Sequence, residues 1–293
     1  MELRPHPACP SLRFIVSLLA RMPFPSVPRL AVAGHPVEVA ISHDEKFCLI
    51  SKQDNTVVRH DMATGEQVAI YEAGFAQPSQ VAIFRSGVSC LVANSGAARV
   101  TMLDLRNSSV IQQFSGLDGA VGVALHPGDT MALVHCCSPV ARDRVSPSAI
   151  ARIDIGTRRV SWPFPSVKLS GHSICMSRCG SFALCSDAVG GRVSRLDLSN
   201  GMVTDEFDTR LGTFGISIAP KLDFALICQK VDTVGRIDFT TGNFDPEAYS
   251  EDSAGQSLEG AFGVAIAPSG QFALVANSRG DSVSVIDLRG IEK

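Results

Sequence analysis

The chain has 293 residues, 45% of them apolar and only 6% aromatic, with 26 basic and 29 acidic side chains that leave a net charge of −3. That composition supports a sizeable core built from Val, Ile, Leu, Ala and Cys, and 293 residues fit a single closed all-β domain. No long basic run or basic–aromatic interleaving is present, so nucleic acid is not an expected partner, and no apolar stretch reaches the ~18–20 residues of a bilayer span.

Residues 1–30 form a divergent, proline-rich arm. Within it Phe14 to Ala20, between Arg13 and Arg21, is a candidate for the apolar part of a signal peptide. It is short and carries charge on both flanks, so the expectation is a poorly ordered arm or a strand remnant, with secretion as the alternative. From Pro28 to Pro36 the chain reads like a strand.

A repeat fills the remainder. The apolar core Val39-Ala40-Ile41 returns at Val81, Val123, Ile174, Ile216 and Val264, with starts separated by 42, 42, 51, 42 and 48 residues. In each copy a second apolar run follows a turn, and a third alternating run ends at an aspartate: Asp61, Asp104, Asp154, Asp197, Asp238 and Asp287. In most copies a Gly- or Asn-containing turn and a fourth strand follow. A side-chain oxygen there can accept from backbone two residues on and close the turn, so the six aspartates are expected to be structural. A period of about 42 with four strands per unit is the signature of propeller blades.

VAIAPSGQFALVANSRGDSVSVIDL (Val264 to Leu288) and SGVSCLVANSGAARVTMLDL (Ser86 to Leu105) are similar to the repeat of the YVTN family of β-propellers. The likeness extends over roughly residues 31–288 and is weaker in the third and fifth copies; the Trp-Asp dipeptide of WD40 repeats is absent, and Trp162 is the lone tryptophan. The resemblance implies a fold rather than one activity, because the family embraces surface proteins, electron-transfer subunits and proteins without assigned chemistry. The expected domain is therefore a β-propeller over residues 31–293 with six four-stranded blades. The last copy lacks a fourth strand, and the segment before Pro36 can supply it, which closes the ring and removes two open sheet edges. Seven blades, the commoner number for such propellers, would need another repeat.

Two copies are lengthened, by residues 138–147 between second and third strands and by residues 243–260 around the fourth strand. Strands that run up and down in turn bring both insertions to one face, the expected surface for a protein or small ligand. The same face receives two columns of residues that differ between copies. Lys52, Asn94, Cys136, Asp187, Gln229 and Asn277 end the second strands; Glu38, Gln80, Gly122, Ser173, Gly215 and Gly263 precede the first-strand cores, after Val37, Ser79, Val121, His172, Phe214 and Phe262. Glu38, Gln80, His172, Ser173, Asp187, Lys52 and Gln229 are the ligand-binding candidates. Asn94 and Asn277 precede turns, where asparagine most simply stabilises the turn.

Neither an activated-serine elbow, a phosphate-binding glycine loop nor a helical metal-protease pair occurs. The expected function is thus a non-enzymatic binding or interaction propeller. A channel-mouth hydrolase of lactonase type, with Glu38, His172 and Asp187 as acid–base groups and Gln80 and Asn94 as support, is one alternative; a purely structural scaffold is another. His172, Cys175, Cys179, Cys185 and Asp187 have zinc-type chemistry but alternate between strands and opposite turns, so neither a metal nor another cofactor is expected. Nine cysteines, most of them in strands, suit buried thiols in a reducing compartment such as the cytoplasm.

Overall fold

The second strand of every blade is buried along almost its whole length, with an apolar centre, and packing explains why. In the computed structural model, which describes residues 25, 27–137, 149–164, 171–209, 212–221, 223–229 and 232–289, six four-stranded antiparallel sheets form a ring. The first blade comprises β2 (Pro36–Ile41), β3 (Phe47–Lys52), β4 (Val57–Asp61) and β5 (Gln67–Tyr71). The second comprises β6 (Pro78–Ile83), β7 (Ser89–Asn94), β8 (Arg99–Asp104) and β9 (Val110–Ser115). The third has β10 (Ala120–Leu125), β11 (Met131–Cys136), β12 (Ala149–Asp154) and the short β13 (Arg159–Ser161). The fourth has β14 (Gly171–Met176), β15 (Phe182–Asp187), β16 (Arg192–Asp197) and β17 (Val203–Asp208); the fifth has β18 (Thr213–Ile218), β19 (Phe224–Gln229), β20 (Thr233–Asp238) and β21 (Phe244–Tyr249).

The sixth blade draws on both ends of the sequence. Its strands β22 (Ala261–Ile266), β23 (Phe272–Asn277) and β24 (Ser282–Asp287) are completed by β1 (Arg29–Ala31), which pairs antiparallel with β24 from Arg29↔Ser284 to Ala31↔Ser282. The ring has six blades and closes through the N-terminal strand. Most of the N-terminal arm and the 138–147 insertion lie outside the described residues. Among the described residues no helix is long and apolar enough to cross a membrane.

Six apolar clusters fill the gaps between neighbouring blades. Cys48, Ile50 and Val58 of the first blade, for example, meet Leu274, Ala276 and Val285 of the sixth. Each second strand is packed on both faces, so Cys48, Cys90, Cys185 and Cys228 serve as small apolar side chains there and remain free thiols. Burial pushes the Cys48 and Cys185 thiols up to about 12. The outer strands see solvent, leaving Val68 and Ile70 more than half exposed.

The six third-strand aspartates all accept backbone hydrogen bonds from the turn that follows. Asp61 takes Ala63 N and Thr64 N, both at 2.9 Å; Asp104 takes Arg106 N at 2.8 Å; Asp154 takes Thr157 N at 2.7 Å. Asp197 takes Ser199 N, Asp238 takes Thr240 N and Thr241 N, and Asp287 takes Arg289 N. These bonds favour the charged form and hold the carboxyls below their ordinary range, with Asp104, hydrogen-bonded to Arg106, at about 2. Four residues after the aspartate the backbone turns left-handed: Gly65, Gly201 and Gly242 have φ of 75°, 72° and 72°, while Ser108 and Arg158 take the same place at 61° and 59°. A side chain in that region is strained where glycine is not. Ser108→Gly and Arg158→Gly are therefore expected to raise stability by roughly 0.5–1 kcal/mol each, measured by chemical denaturation.

Part of the second insertion is a strap over the ring closure. After β21, Ser253 N donates to Val285 O at 2.8 Å, extending the edge of β24 beyond the three residues that β1 covers. Asp252, its side chain fully buried, accepts from Arg29 Nε at 2.9 Å, from Ala254 N and Gln256 N, and from Ser284 Oγ. Arg29 also donates to the carbonyls of Gln256 and Ser257. Removing one partner of a buried pair leaves an uncompensated charge. Arg29→Met is expected to cost about 3 kcal/mol, and urea unfolding of the variant checks it.

Candidate functional site

At the face where β11–β12 and β21–β22 are joined, the first strand of every blade breaks register with the second. The irregularities fall at Pro36/Glu38, Pro78/Val81, Ala120/Gly122, Gly171/Ile174, Thr213/Ile216 and Ala261/Gly263. A bulge re-aims the side chains around it. Here it brings His172, Phe214 and Phe262 together: Phe214 and Phe262 stack at 4.5 Å between ring centroids, and His172 stands edge-on to them at 5.2 and 4.8 Å. The three rings are half-buried.

One residue deeper, two long polar side chains cross between blades. Gln80 on β6 donates from Nε2 to Ile174 O at 2.9 Å, while its Oε1 accepts from Val123 N at 3.0 Å and Ile174 N at 3.1 Å. A single amide thus joins the second, third and fourth blades. Glu38 on β2 reaches towards the sixth blade: its Oε1 accepts from Val39 N at 3.2 Å, and the carboxyl also meets the backbone of Val264. Glycine makes room for each. A Cβ on Gly263 would lie 2.3 Å from Glu38 Oε1, and one on Gly122 would lie 3.1 Å from Gln80 Oε1.

Burial dominates the electrostatics. Desolvation raises the Glu38 carboxyl to about 8, against the pull of its two backbone hydrogen bonds, so it is neutral at pH 7. Burial likewise lowers His172 and the neighbouring His135 to about 4. His135, on β11, is packed against Gly171, whose Cβ would fall on the His135 ring. The sequence offered no sign of His135, because its position on a second strand holds small residues, Ser51, Ala93, Ser186, Cys228 and Ala276, in the other copies.

The other candidates engage local structure. Ser173 is fully buried, its N–H bonded to Ser186 Oγ. Asp187 caps its own hairpin by accepting from Val189 N and Gly190 N, with Arg192 Nε at 3.6 Å. Lys52 Nζ contacts Asp54 Oδ2 at 2.8 Å and donates to Ala33 O. Gln229 donates to Thr209 O. Asn94 and Asn277 donate across their hairpins, to Thr101 Oγ1 and to Ser282 and Ser284 Oγ. Electrostatically His135 acts on His172 and Asp187 on His135, whereas Glu38 acts on Cys175 and Cys228. Among the described residues no group of three or more His, Cys, Asp or Glu side chains is placed to hold a metal ion.

The opposite mouth, where first and second strands are joined by tight turns, is an open funnel of about 250 Å³. The last residues of the six inner strands, Ile41, Ile83, Leu125, Met176, Ile218 and Ile266, form an apolar collar. Its rim carries His43, Arg85, His126, Asp129 and Arg178 with three prolines.

Among solved structures the chain is similar to hydrazine synthase from Kuenenia stuttgartiensis, with a TM-score of 0.66 and 15% identity over 88% of this chain and 96% of that one. At that identity the likeness concerns the fold. The chain is a β-propeller. No protein-family model matches it, and no curated protein matches it by sequence.

Glu38 gives the propeller a distinctive pH dependence. Between about pH 4.5 and 8 the unfolded chain releases a proton that folded Glu38 keeps, so this group lowers stability as pH rises through that window. His135 and His172 act at the acid end, where stability falls as pH drops from 6.5 towards 4. Glu38→Gln is expected to remove the alkaline decline and to stabilise the protein at pH 8 by roughly 2–4 kcal/mol, read from denaturant melts at pH 5, 6.5 and 8.

Proposed function

We propose that this chain is a non-enzymatic binding propeller of YVTN-like type, which takes a protein or small ligand on the face where the β11–β12 and β21–β22 connections emerge. The observation that carries the reading is the use of the inward-facing polar groups. Gln80 satisfies backbone of two other blades, Glu38 is neutral and directed at Val264, and Asp187 caps its own turn. Groups so engaged hold a scaffold rigid, and rigid scaffolds present variable residues for recognition. At the mouth the half-buried rings of His172, Phe214 and Phe262 offer an aromatic surface suited to an apolar side chain or a flat ligand.

A lactonase-type hydrolase is the second reading. It is favoured by one feature: a carboxyl buried in the channel and raised to about 8 has the properties of a general acid.

Turnover separates the two. A panel of lactones and esters is expected to show no hydrolysis that depends on Glu38 or His172; a rate that falls a hundredfold or more in Glu38→Gln overturns the binding-only reading. For recognition, a partner captured by cross-linking is purified and titrated against the chain. Phe214→Ala and Phe262→Ala are expected to weaken that binding about tenfold, the scale of losing an aromatic anchor, whereas unchanged affinity removes this mouth as the recognition surface.

A further inference from the structure

The funnel at the opposite end of the channel has a composition of its own. Its collar is purely aliphatic apart from the thioether of Met176, and five of its six members are only half-buried. The inner strands run three residues from this collar to the level of Glu38 and Gln80, about 10 Å at strand rise. The space is therefore shallow, and its ~250 Å³ falls below the volume of pockets that take drug-sized molecules.

Two arginines stand over it from different blades. Arg85 and Arg178 each sit two residues past the end of an inner strand, a place held by Pro127, Pro220 and Pro268 in three other blades and by His43 in the first. Arg178 Nη1 donates to Pro268 O at 3.1 Å, so its guanidinium, rooted in the fourth blade, extends over the fifth to the sixth. Neither guanidinium forms an ion pair within 4 Å among the described residues. The nearby acids have other partners. Asp129 Oδ2 accepts from Arg85 N at 2.9 Å, tying the third blade to the second; Asp44 accepts from Ser42 Oγ and Lys46 N and pairs with Lys46 Nζ at 3.5 Å. His43 stands in the field of both arginines and both acids, and burial with the arginine charges lowers its basicity, so it is a neutral donor or acceptor at the rim.

We propose that this funnel binds a short-chain amphiphilic anion, with an aliphatic tail on the collar of Ile41, Ile83, Leu125, Met176, Ile218 and Ile266 and a carboxylate or phosphate head between Arg85 and Arg178. Guanidinium groups suit such heads because their forked donors match two oxygens at once. Burial of the tail supplies affinity without direction, and the arginines fix which end faces solvent. The site is separate from the aromatic mouth at the other end of the channel.

The test is calorimetric titration of the full chain with octanoate, octyl phosphate, octanol and octylammonium. Saturable one-to-one binding of octanoate or octyl phosphate is expected, with the preferred anion identifying the head group. Octanol should bind at least tenfold more weakly and octylammonium not measurably. Arg85→Ala and Arg178→Ala, both at exposed positions, should each weaken the anion at least tenfold, and Met176→Glu should abolish binding. Phe262→Ala, at the far mouth, should leave it unchanged. The proposal is overturned if neither anion saturates, if octylammonium binds as well as the anions, or if affinity survives both arginine substitutions.

Discussion

Everything in this ring depends on two-sided burial of the second strands. A sheet that covers both of its faces with like sheets has no independent core, and each of the six apolar clusters belongs to two blades at once. Opening any interface exposes two apolar faces together, so cooperativity is a property of closure. At 25 cal/mol per Å² of apolar surface, the loss at one interface outweighs any single hydrogen bond in the molecule. Closure nevertheless rests on a strand of three residues. That brevity explains why the strap around Asp252 has a buried carboxylate with four donors: it continues the edge of β24 where β1 ends.

Closure also dictates the chemistry of the channel. Six inner strands brought together cannot all carry long side chains at one level, and here three glycines and a serine share that level with Glu38 and Gln80. The amide suits the crossing because it both donates and accepts, meeting an N–H and a carbonyl of Ile174 as well as an N–H of β10. A carboxyl in the equivalent place accepts readily but keeps its proton, since burial penalises its charged form more than two backbone hydrogen bonds favour it. Polar identity at this level therefore reports neighbouring backbone as much as any ligand.

Much of this architecture was legible in the residues. The 42-residue period, the aspartate ending each third strand and the missing fourth strand of the last copy together lead to six blades closed by the segment before Pro36. Those features are local, or repeat with fixed phase. The reach of Gln80 is neither, for its partner Ile174 lies 94 residues away and two blades distant. Asp252 reads as one more acid in an acidic insertion, and only the fold shows it beneath Arg29. The aromatic trio was half visible, as His172, Phe214 and Phe262 occupy one column, yet their stacking depends on bulges that leave no residue-level mark.

The two ends of the channel differ for a reason rooted in strand direction. At one end the inner strands begin, after connections of varying length, and the bulges there admit rings and polar side chains of many kinds. At the other end the inner strands finish in tight turns whose geometry repeats: Glu45, Gly87, Asp129, Gly180 and Gly270 all adopt left-handed backbone. Two of these turns exploit a side chain to clamp the adjacent blade, Glu45 on Ser269 N and Asp129 on Arg85 N. Such clamping fixes the turns that carry His43, Arg85 and Pro268, so the rim of the funnel is held from within the ring. A site built on strand ends and clamped turns loses little freedom when a ligand arrives. That preorganisation lets a small aliphatic collar and two arginines from separate blades act as one surface.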